Sequence, residues 1–308
     1  MAEFTAKDVM KLREQTGAGM MDCKKALVDA DGDFEKAADL LRERGIAKAA
    51  KRASKIAAEG VVYALVSGKT GVLVEVNCES DFVAKGEKFH SVVETVAKQI
   101  AAVKPCCVDK LLTSDLGGGK TVETFIQEQV GIIGEKISVR RFTVFESNGF
   151  VETYIHMGGT MGVMLDFDCK ETAATKELAH NIALHTAFSK PSYLTKAEVS
   201  AETIEKEKAI LKQEVLNDEK MANKPEQVIA NIVEGKVKKF YEENCLMEQK
   251  YVKDDKLTIS QLIAQNSKEA GVPVSIRACT FYVMGEGIEK KSEDLSEEVA
   301  KQVEAMKK

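Results

Sequence analysis

Tryptophan is missing from this chain, proline appears four times in 308 residues, and no C-x-x-C pair occurs. The seven cysteines, Cys23, Cys78, Cys106, Cys107, Cys169, Cys245 and Cys279, form an odd and scattered set. A disulfide framework or a zinc site needs closer, patterned spacing, so they read as reduced thiols packed as small apolar groups. Of the four histidines, His180 and His185 are spaced one residue too far for an H-E-x-x-H site, and no glutamate follows His180. No metal site is expected. Apolar runs long enough to span a bilayer are also lacking, and Met1-Ala2-Glu3-Phe4 has neither the basic start nor the apolar block of a secretory signal. The expectation is a cytoplasmic chain without a membrane partner. A strong charge of one sign is absent too: the formal net charge is -5, which argues against a protein whose main task is gripping nucleic acid. What remains is 44% hydrophobic and 30% charged, a soluble globular composition long enough for two domains.

The most informative stretch is Asn77-Cys78-Glu79-Ser80-Asp81-Phe82-Val83, where an apolar strand stops and a helix starts. Val72, Val74 and Val76 alternate with Leu73 and Glu75, which suits a strand buried on at least one face. Ser80 and Asp81 are short oxygen-bearing residues of the kind that cap a helix N-terminus. Phe82 falls in the first turn, ahead of the stripe Phe89, Val92, Val93, Val96 and Ile100. Spacing alone puts Phe82 and Phe89 on one helix face, and such a face is usually core.

The chain opens with Thr5 as a cap, Asp8 as its acidic partner, and Val9 and Leu12 at helical spacing. Thr16-Gly17-Ala18-Gly19 breaks that helix, and Asp31-Gly32-Asp33 makes a second break. Three short helices closed by Gly45 are expected, a unit too small for much core and suited to holding a partner. Met20 and Met21 fit either an interior or a contact role. Residues 42–55 are basic and alanine-rich, and a solvated linker helix is favoured over a nucleic-acid patch.

The middle of the chain uses one plan twice. Residues 60–66, the turn Gly68-Lys69-Thr70-Gly71 and residues 72–78 form a hairpin leading into a helix. Residues 149–155, Gly158-Gly159-Thr160 and residues 162–169 repeat it. Closing strands follow at Ile137-Ser138-Val139-Arg140 and Val274-Ser275-Ile276-Arg277. The fold class is α+β, with two related units that each carry a small antiparallel sheet and helices. Laying Cys78 on Cys169 puts Asp81-Phe82 on Thr172-Ala173, so the second copy has no ring where the first has Phe82. That asymmetry favours Phe82 as an addition serving a purpose outside the core. In the second copy, Ile204, Leu211 and Val215 face Val228, Ile229, Ile232, Val233, Val237 and Phe240 in an inserted antiparallel helical hairpin that turns at Met221-Ala222-Asn223-Lys224. Leu295, Val299, Val303 and Met306 suit a C-terminal amphipathic helix. The expected divisions are 1–55, 56–146, 147–290 with the hairpin at about 197–244, and 291–308.

Gly117-Gly118-Gly119-Lys120-Thr121 ends like a phosphate-binding loop, but Ser114 stands where the first glycine belongs and no buried strand leads in. These glycines read as a loop tip, without a nucleotide or other cofactor. No G-x-S-x-G elbow and no convergent pair of carboxylates occurs, so a binding protein is preferred to an enzyme.

The blocks Leu12-Arg13-Glu14-Gln15-Thr16-Gly17-Ala18-Gly19-Met20-Met21-Asp22-Cys23-Lys24-Lys25-Ala26-Leu27 and Val76-Asn77-Cys78-Glu79-Ser80-Asp81-Phe82-Val83 resemble the bacterial translation elongation factor Ts family. Gly134-Glu135-Lys136-Ile137-Ser138-Val139-Arg140-Arg141, residues 185–191 and Val283-Met284-Gly285-Glu286-Gly287-Ile288-Glu289-Lys290 continue the likeness in order over the whole length. Where the family usually has Thr-Asp-Phe, this chain has Ser80, which keeps the capping hydroxyl. The resemblance implies a guanine-nucleotide exchange factor, without catalytic chemistry of its own, for the GTPase elongation factor Tu. It also implies a ubiquitin-associated-like N-terminal domain of three helices, a core of two subdomains, a helical hairpin and a C-terminal helix. By the same resemblance Asp81 and Phe82, flanked by Ser80 and Val83, would enter the GTPase beside its magnesium-nucleotide site. Ile133, Gly134 and His156 would touch the partner from the core, and Arg13, Met20 and Met21 from the N-terminal domain. No direct nucleotide or nucleic-acid binding is implied, and a homodimer is compatible with it. The alternative, a ribosome- or RNA-associated protein, would use the basic 42–55 segment.

Overall fold

A computed structural model describes residues 4–218 and 224–289. The mixed α/β chain forms two compact units, one from the chain up to Val61 with Glu75–Phe142 and the chain from Val283, the other from Val62–Val74 with Thr143–Tyr282. Three antiparallel or small sheets accompany the helices: β1 (Glu59–Ser67), β2 (Thr70–Cys78) and β3 (Ser138–Glu146) in the order β1-β2-β3; β4 (Phe150–His156), β5 (Met161–Phe167) and β8 (Ile276–Val283) in the order β4-β5-β8; and the pair β6 (Lys250–Tyr251) and β7 (Asp254–Thr258). β4 and β5 run antiparallel, with Phe150 opposite Phe167 and His156 opposite Met161.

In the first unit, α1 (Ala6–Thr16) begins with a capping box, in which the Thr5 hydroxyl accepts from the Asp8 N–H while Asp8 accepts from the Thr5 N–H. Gly17, in the left-handed region, ends it. α2 (Met20–Asp29) stops at Asp31 and Gly32, both at positive φ, and the Asp33 carboxylate caps α3 (Phe34–Arg52). Leu12, Cys23, Ala26, Leu27 and Ala37 form the sealed centre of this bundle.

Gly45 does not close the third helix as expected; α3 runs through it to Arg52. The glycine serves a helix crossing instead. α7 (Val122–Ile133) passes so near that a Cβ on Gly131 would sit 2.6 Å from Gly45 Cα. The basic segment on α3 is not a free positive face either. Arg42 pairs with Glu128 at 3.2 Å, Arg44 with Asp29, Lys48 with Asp22 at 3.3 Å, and Arg52 with Glu79 at 2.8 Å.

Phe82 lies outside the core, as the asymmetry of the two copies favours, but not on one helix with Phe89. α4 (Asp81–Ala84) is a single turn, Gly86 returns the chain to extended geometry, and α5 (Glu87–Val103) starts afresh. Phe82 and Phe89 therefore share no helix face. Phe89 is sealed with Val92, Val93, Val96 and Ile100 along α5, while Phe82 is not. The α6 helix (Val108–Leu112) leads to a loop in which Gly117, Gly118 and Gly119 all have positive φ. The Asp115 carboxylate takes the Gly117 N–H, and Lys120 pairs with Glu128, so the loop closes on itself.

In the second unit α8 (Ala173–Ser189) lies on its sheet and buries Leu178, Ala179 and Ile182 against Val163, Leu165 and the stacked rings of Phe150 and Phe167. Two glycines set a close sheet approach in a reciprocal way. A Cβ on Gly71 would lie 2.6 Å from Val151 Cγ1 and 2.9 Å from Met164 Sδ, and one on Gly162 would lie 2.6 Å from Val62 Cγ1 and 2.8 Å from Leu73 Cδ1. The alignment of Cys78 with Cys169 also lays Gly71 on Gly162.

The helices α9 (Ala201–Asn217) and α10 (Glu226–Asn244) pack through Val215, Ile229, Val233 and Val237, with Ile204, Leu211, Ile232 and Tyr241 at the margin. Val228, expected in this seam, is exposed because it lies one position off the stripe. The hairpin turn at Met221-Ala222-Asn223 and the C-terminal helix at 291–308 lie outside the described residues. α11 (Ile259–Ala270) starts at a capping box formed by Thr258 and Gln261.

The glycine crossing has a direct consequence. Gly131→Ala is expected to cost about 1–3 kcal/mol through overpacking. Gly235→Ala, in the open interior of α10, is expected to be neutral or to add up to about 1 kcal/mol. Urea midpoints of the two variants check this.

Candidate functional site

The site begins with β2, which is buried along nearly its whole length and so cannot shed Glu75 or Asn77 to water. The sealed Glu75 carboxylate is matched by Arg140 at 3.0 Å and Arg141 at 2.7 Å from β3, and by the Gly285 N–H at 2.8 Å. Burial pushes this carboxyl up, but the Gly285 N–H and the two guanidiniums outweigh it and hold the group below its ordinary 4.5. Arg141 also donates to the Val283 carbonyl and pairs with Glu286, so one buried charge fastens the turn at residues 283–287.

At the end of β2 the chain must turn into α4, and two carboxylates hold that turn. Glu135 accepts from the Glu79 N–H at 3.1 Å, the Ser80 N–H at 2.9 Å and the Ser80 hydroxyl at 2.6 Å. Glu79 in turn accepts from the Lys136 N–H at 2.6 Å and from both contacts of Arg52. Burial raises the Glu79 carboxyl, and the Lys136 N–H and Arg52 more than reverse it. Ser80 is extended, and its Oγ accepts from the Val83 N–H at 3.3 Å, the capping bond expected of it. Asp81 is exposed, and the hydrogen bond from Lys85 at 2.7 Å keeps its carboxyl below the ordinary value.

Phe82 emerges from this fastened turn with 84% of its surface exposed. A full aromatic side chain left in water forfeits roughly 1.5–3 kcal/mol of burial. The ring is held outside its own core by the short helix beneath it. Val83 is half-buried behind it, and Ala84 is buried.

Ile133 and Gly134 close α7 directly before Glu135, with Gly134 at φ +88° and open space around it. The Glu135 bonds bring this corner to Ser80. The turn between α1 and α2 also meets α7, since a Cβ on Gly17 would be 3.6 Å from Ile132 Cδ1. Arg13 lies exposed before that turn, and after it Met20 and Met21 are 39% and 73% exposed, a surface placement rather than an interior one. His156 belongs to the second unit; it is exposed at the end of β4, with Nδ1 2.9 Å from the Tyr154 hydroxyl. Sequence reasoning did not single out Glu135, Glu79, Arg52 or Lys136 as the holders of the turn. A carboxylate next to a helix-ending glycine was the available signal.

Among the described residues, no group of three or more His, Cys, Asp or Glu is placed to hold a metal ion, and no helix is long and apolar enough to cross a membrane. The arrangement presents an exposed aromatic ring with an acid beside it on a hydrogen-bonded turn.

The family model described as Elongation factor TS matches residues 79–286. The chain is 45% identical over 302 residues to an elongation factor Ts of Clostridium perfringens, covering 97% of this chain and 98% of that protein. It is 44% identical over 304 residues to that of Halothermothrix orenii, covering 97% and 98%, and 45% identical over 307 residues to that of Clostridium kluyveri, covering 98% and 99%.

Two outcomes follow from the carboxylates. Glu135→Ala leaves two amides and a hydroxyl without their acceptor and is expected to cost about 1–3 kcal/mol, with loss of hydrogen-exchange protection at Glu79 and Ser80. Glu75→Gln strands two guanidiniums. Because their side chains are 28% and 32% exposed, the cost falls to roughly 2–3 kcal/mol, below the ~3–5 of a fully buried broken pair. The native Glu75 contribution is complete above the ordinary carboxylate pKa and is lost as pH falls through the lower folded value. Stability measured against pH below 4.5 should therefore fall less steeply in the Gln variant.

Proposed function

The chain belongs to the elongation factor Ts family of translation elongation factors, and from that premise we propose that it is the guanine-nucleotide exchange factor of the GTPase elongation factor Tu. In this reading Asp81 and Phe82 enter the GTPase beside its magnesium-nucleotide site, with Ser80 and Val83 setting the turn. Ile133, Gly134 and His156 make core contacts, and Arg13, Met20 and Met21 make N-terminal ones. The three N-terminal helices act as a ubiquitin-associated-like docking module, the two sheet-bearing regions as related core subdomains, and the cytoplasm as the place of action. The observation that carries the proposal is the exposed Phe82 ring on a turn fastened by Glu79 and Glu135.

Magnesium in a GTPase tolerates little distortion from octahedral geometry, so a rigid ring wedged next to it weakens the bound nucleotide. The wedge is not sufficient. A nucleotide held at nanomolar Kd is bound by about 12 kcal/mol, whereas burying one Phe yields roughly 1.5–3. The remainder must come from an extended interface that forms best on the distorted GTPase, which gives the separate contact positions on α1, α2, α7 and β4 their purpose. Coupling is reciprocal, so nucleotide with magnesium must weaken this protein's hold on the GTPase by the same factor that the protein weakens nucleotide binding.

The basic residues of α3 give the RNA-binding alternative no support, since four of them face carboxylates of their own unit.

Phe82→Ala is expected to change folding stability by no more than about 0.5 kcal/mol, because the ring is exposed. It should slow stimulated GDP release by roughly 10–100-fold, the equivalent of one buried Phe. Stopped-flow release of labelled GDP from elongation factor Tu at saturating protein is the measurement. An unchanged rate would refute the wedge.

A further inference from the structure

Five of the seven thiols are wholly or partly shielded, and burial raises the pKa of each of Cys23, Cys78, Cys169, Cys245 and Cys279, to about 12 for Cys78. The remaining two are neighbours. Cys106 and Cys107 are both exposed between α5 and α6, and their sulfurs lie 3.8 Å apart on the same side of the chain. Neither belongs to the Phe82 turn, and the exchange reading uses neither.

We propose that Cys106 and Cys107 form a dithiol site that captures a single trivalent arsenical centre by bridging both sulfurs through one atom.

Distances decide between the fates open to an adjacent pair. A disulfide needs its sulfurs at about 2.0 Å and its Cα atoms usually about 4.4–6.8 Å apart, yet adjacent Cα atoms across a trans peptide are held at about 3.8 Å. Direct oxidation therefore strains the backbone. A one-atom bridge with bonds of about 2.3 Å and an angle near tetrahedral sets the sulfurs roughly 3.4–3.8 Å apart, where they already stand. Coordination number decides the class of centre. Zinc asks for four ligands, and no group of three or more metal-binding side chains occurs among the described residues. An organoarsenic(III) centre that keeps its carbon substituent needs two thiolates only.

The step balances without an oxidant. An arsenic(III) oxide, R–As=O, condenses with the two S–H groups. Two As–S bonds form as the As–O bonds break, and the two thiol protons leave with the oxygen as one water. Arsenic and sulfur keep their oxidation states. The chelate ring explains the selectivity: once the first sulfur is attached, the second is already within reach, so its effective concentration far exceeds that of any free monothiol.

The full-length protein treated with one equivalent of phenylarsine oxide in excess glutathione, then read by intact mass, tests the site. One adduct per chain is expected, with loss of two reactive thiols in a native thiol count, and a small dithiol should strip it. Cys106→Ser and Cys107→Ser should each abolish the adduct, whereas Cys169→Ser should retain it. Absence of an adduct in the native protein under glutathione, or its survival in either serine variant of the pair, would overturn the assignment.

Discussion

The Glu135 carboxylate, bonded to two successive amides and a hydroxyl at the end of β2, is the contact on which the rest of the proposed site depends. Backbone N–H groups at a strand-to-helix junction have lost their ladder partners and have not yet gained helical ones, so they need an acceptor from elsewhere. Glu135 supplies it from a position immediately after the glycine that ends α7. One carboxylate thereby fixes where α4 starts and which way Phe82 points. Glu79 adds a second fastening through Lys136 and Arg52, tying the same turn to α3. An exposed ring on a loose loop would lose its direction, and ordering it on contact would consume much of the free energy its burial releases.

Charge is handled in one manner in both units. Glu75 on β2 meets Arg140 and Arg141, and Asp166 on β5 meets Arg277. The alignment that lays Cys78 on Cys169 lays Glu75 on Asp166, and Arg140 and Arg277 each stand at the fourth position of their closing stretches, Ile137-Ser138-Val139-Arg140 and Val274-Ser275-Ile276-Arg277. Replacing such a pair with well-packed apolar side chains often leaves stability unchanged, so its value lies elsewhere. A buried carboxylate accepts only one strand register, because a slip by one residue would move it away from its arginine. The pairs thus specify alignment in strands whose valines would tolerate several. The approach of Gly71 to Val151 and Met164, mirrored by Gly162 against Val62 and Leu73, adds a steric condition, since any side chain at either glycine would push the sheets apart.

Much of this was readable from local chemistry. The capping box at Thr5 and Asp8, the stop at Asp31-Gly32-Asp33, the Ser80 cap, the apolar face of α5 and the seam of the helical hairpin depend on residues close in sequence, whose hydrogen bonds and periodicity are set by short-range geometry. The misreadings share a different cause. Gly45 looked like a helix end because glycine is a weak helix former, but Gly131 on α7 needs that space. Phe82 and Phe89 looked like one face because their spacing fits a continuous helix, but Gly86 resets the backbone between them.

Composition and pattern alone therefore determined that this chain mixes helices with small sheets, that caps at Thr5 and Ser80 open two of its helices, that a strand of valines ends in a capped turn bearing an aromatic, and, through its motifs, which family it resembles. Tertiary structure alone decided that the aromatic faces water, that Glu135 and Glu79 hold the turn beneath it, and that Arg42, Arg44, Lys48 and Arg52 of α3 are matched by carboxylates. The division has a physical origin: caps, turns and periodic faces are satisfied within a few residues of chain. The direction of a side chain and the partner of a charge depend on groups that only folding brings within a few ångströms.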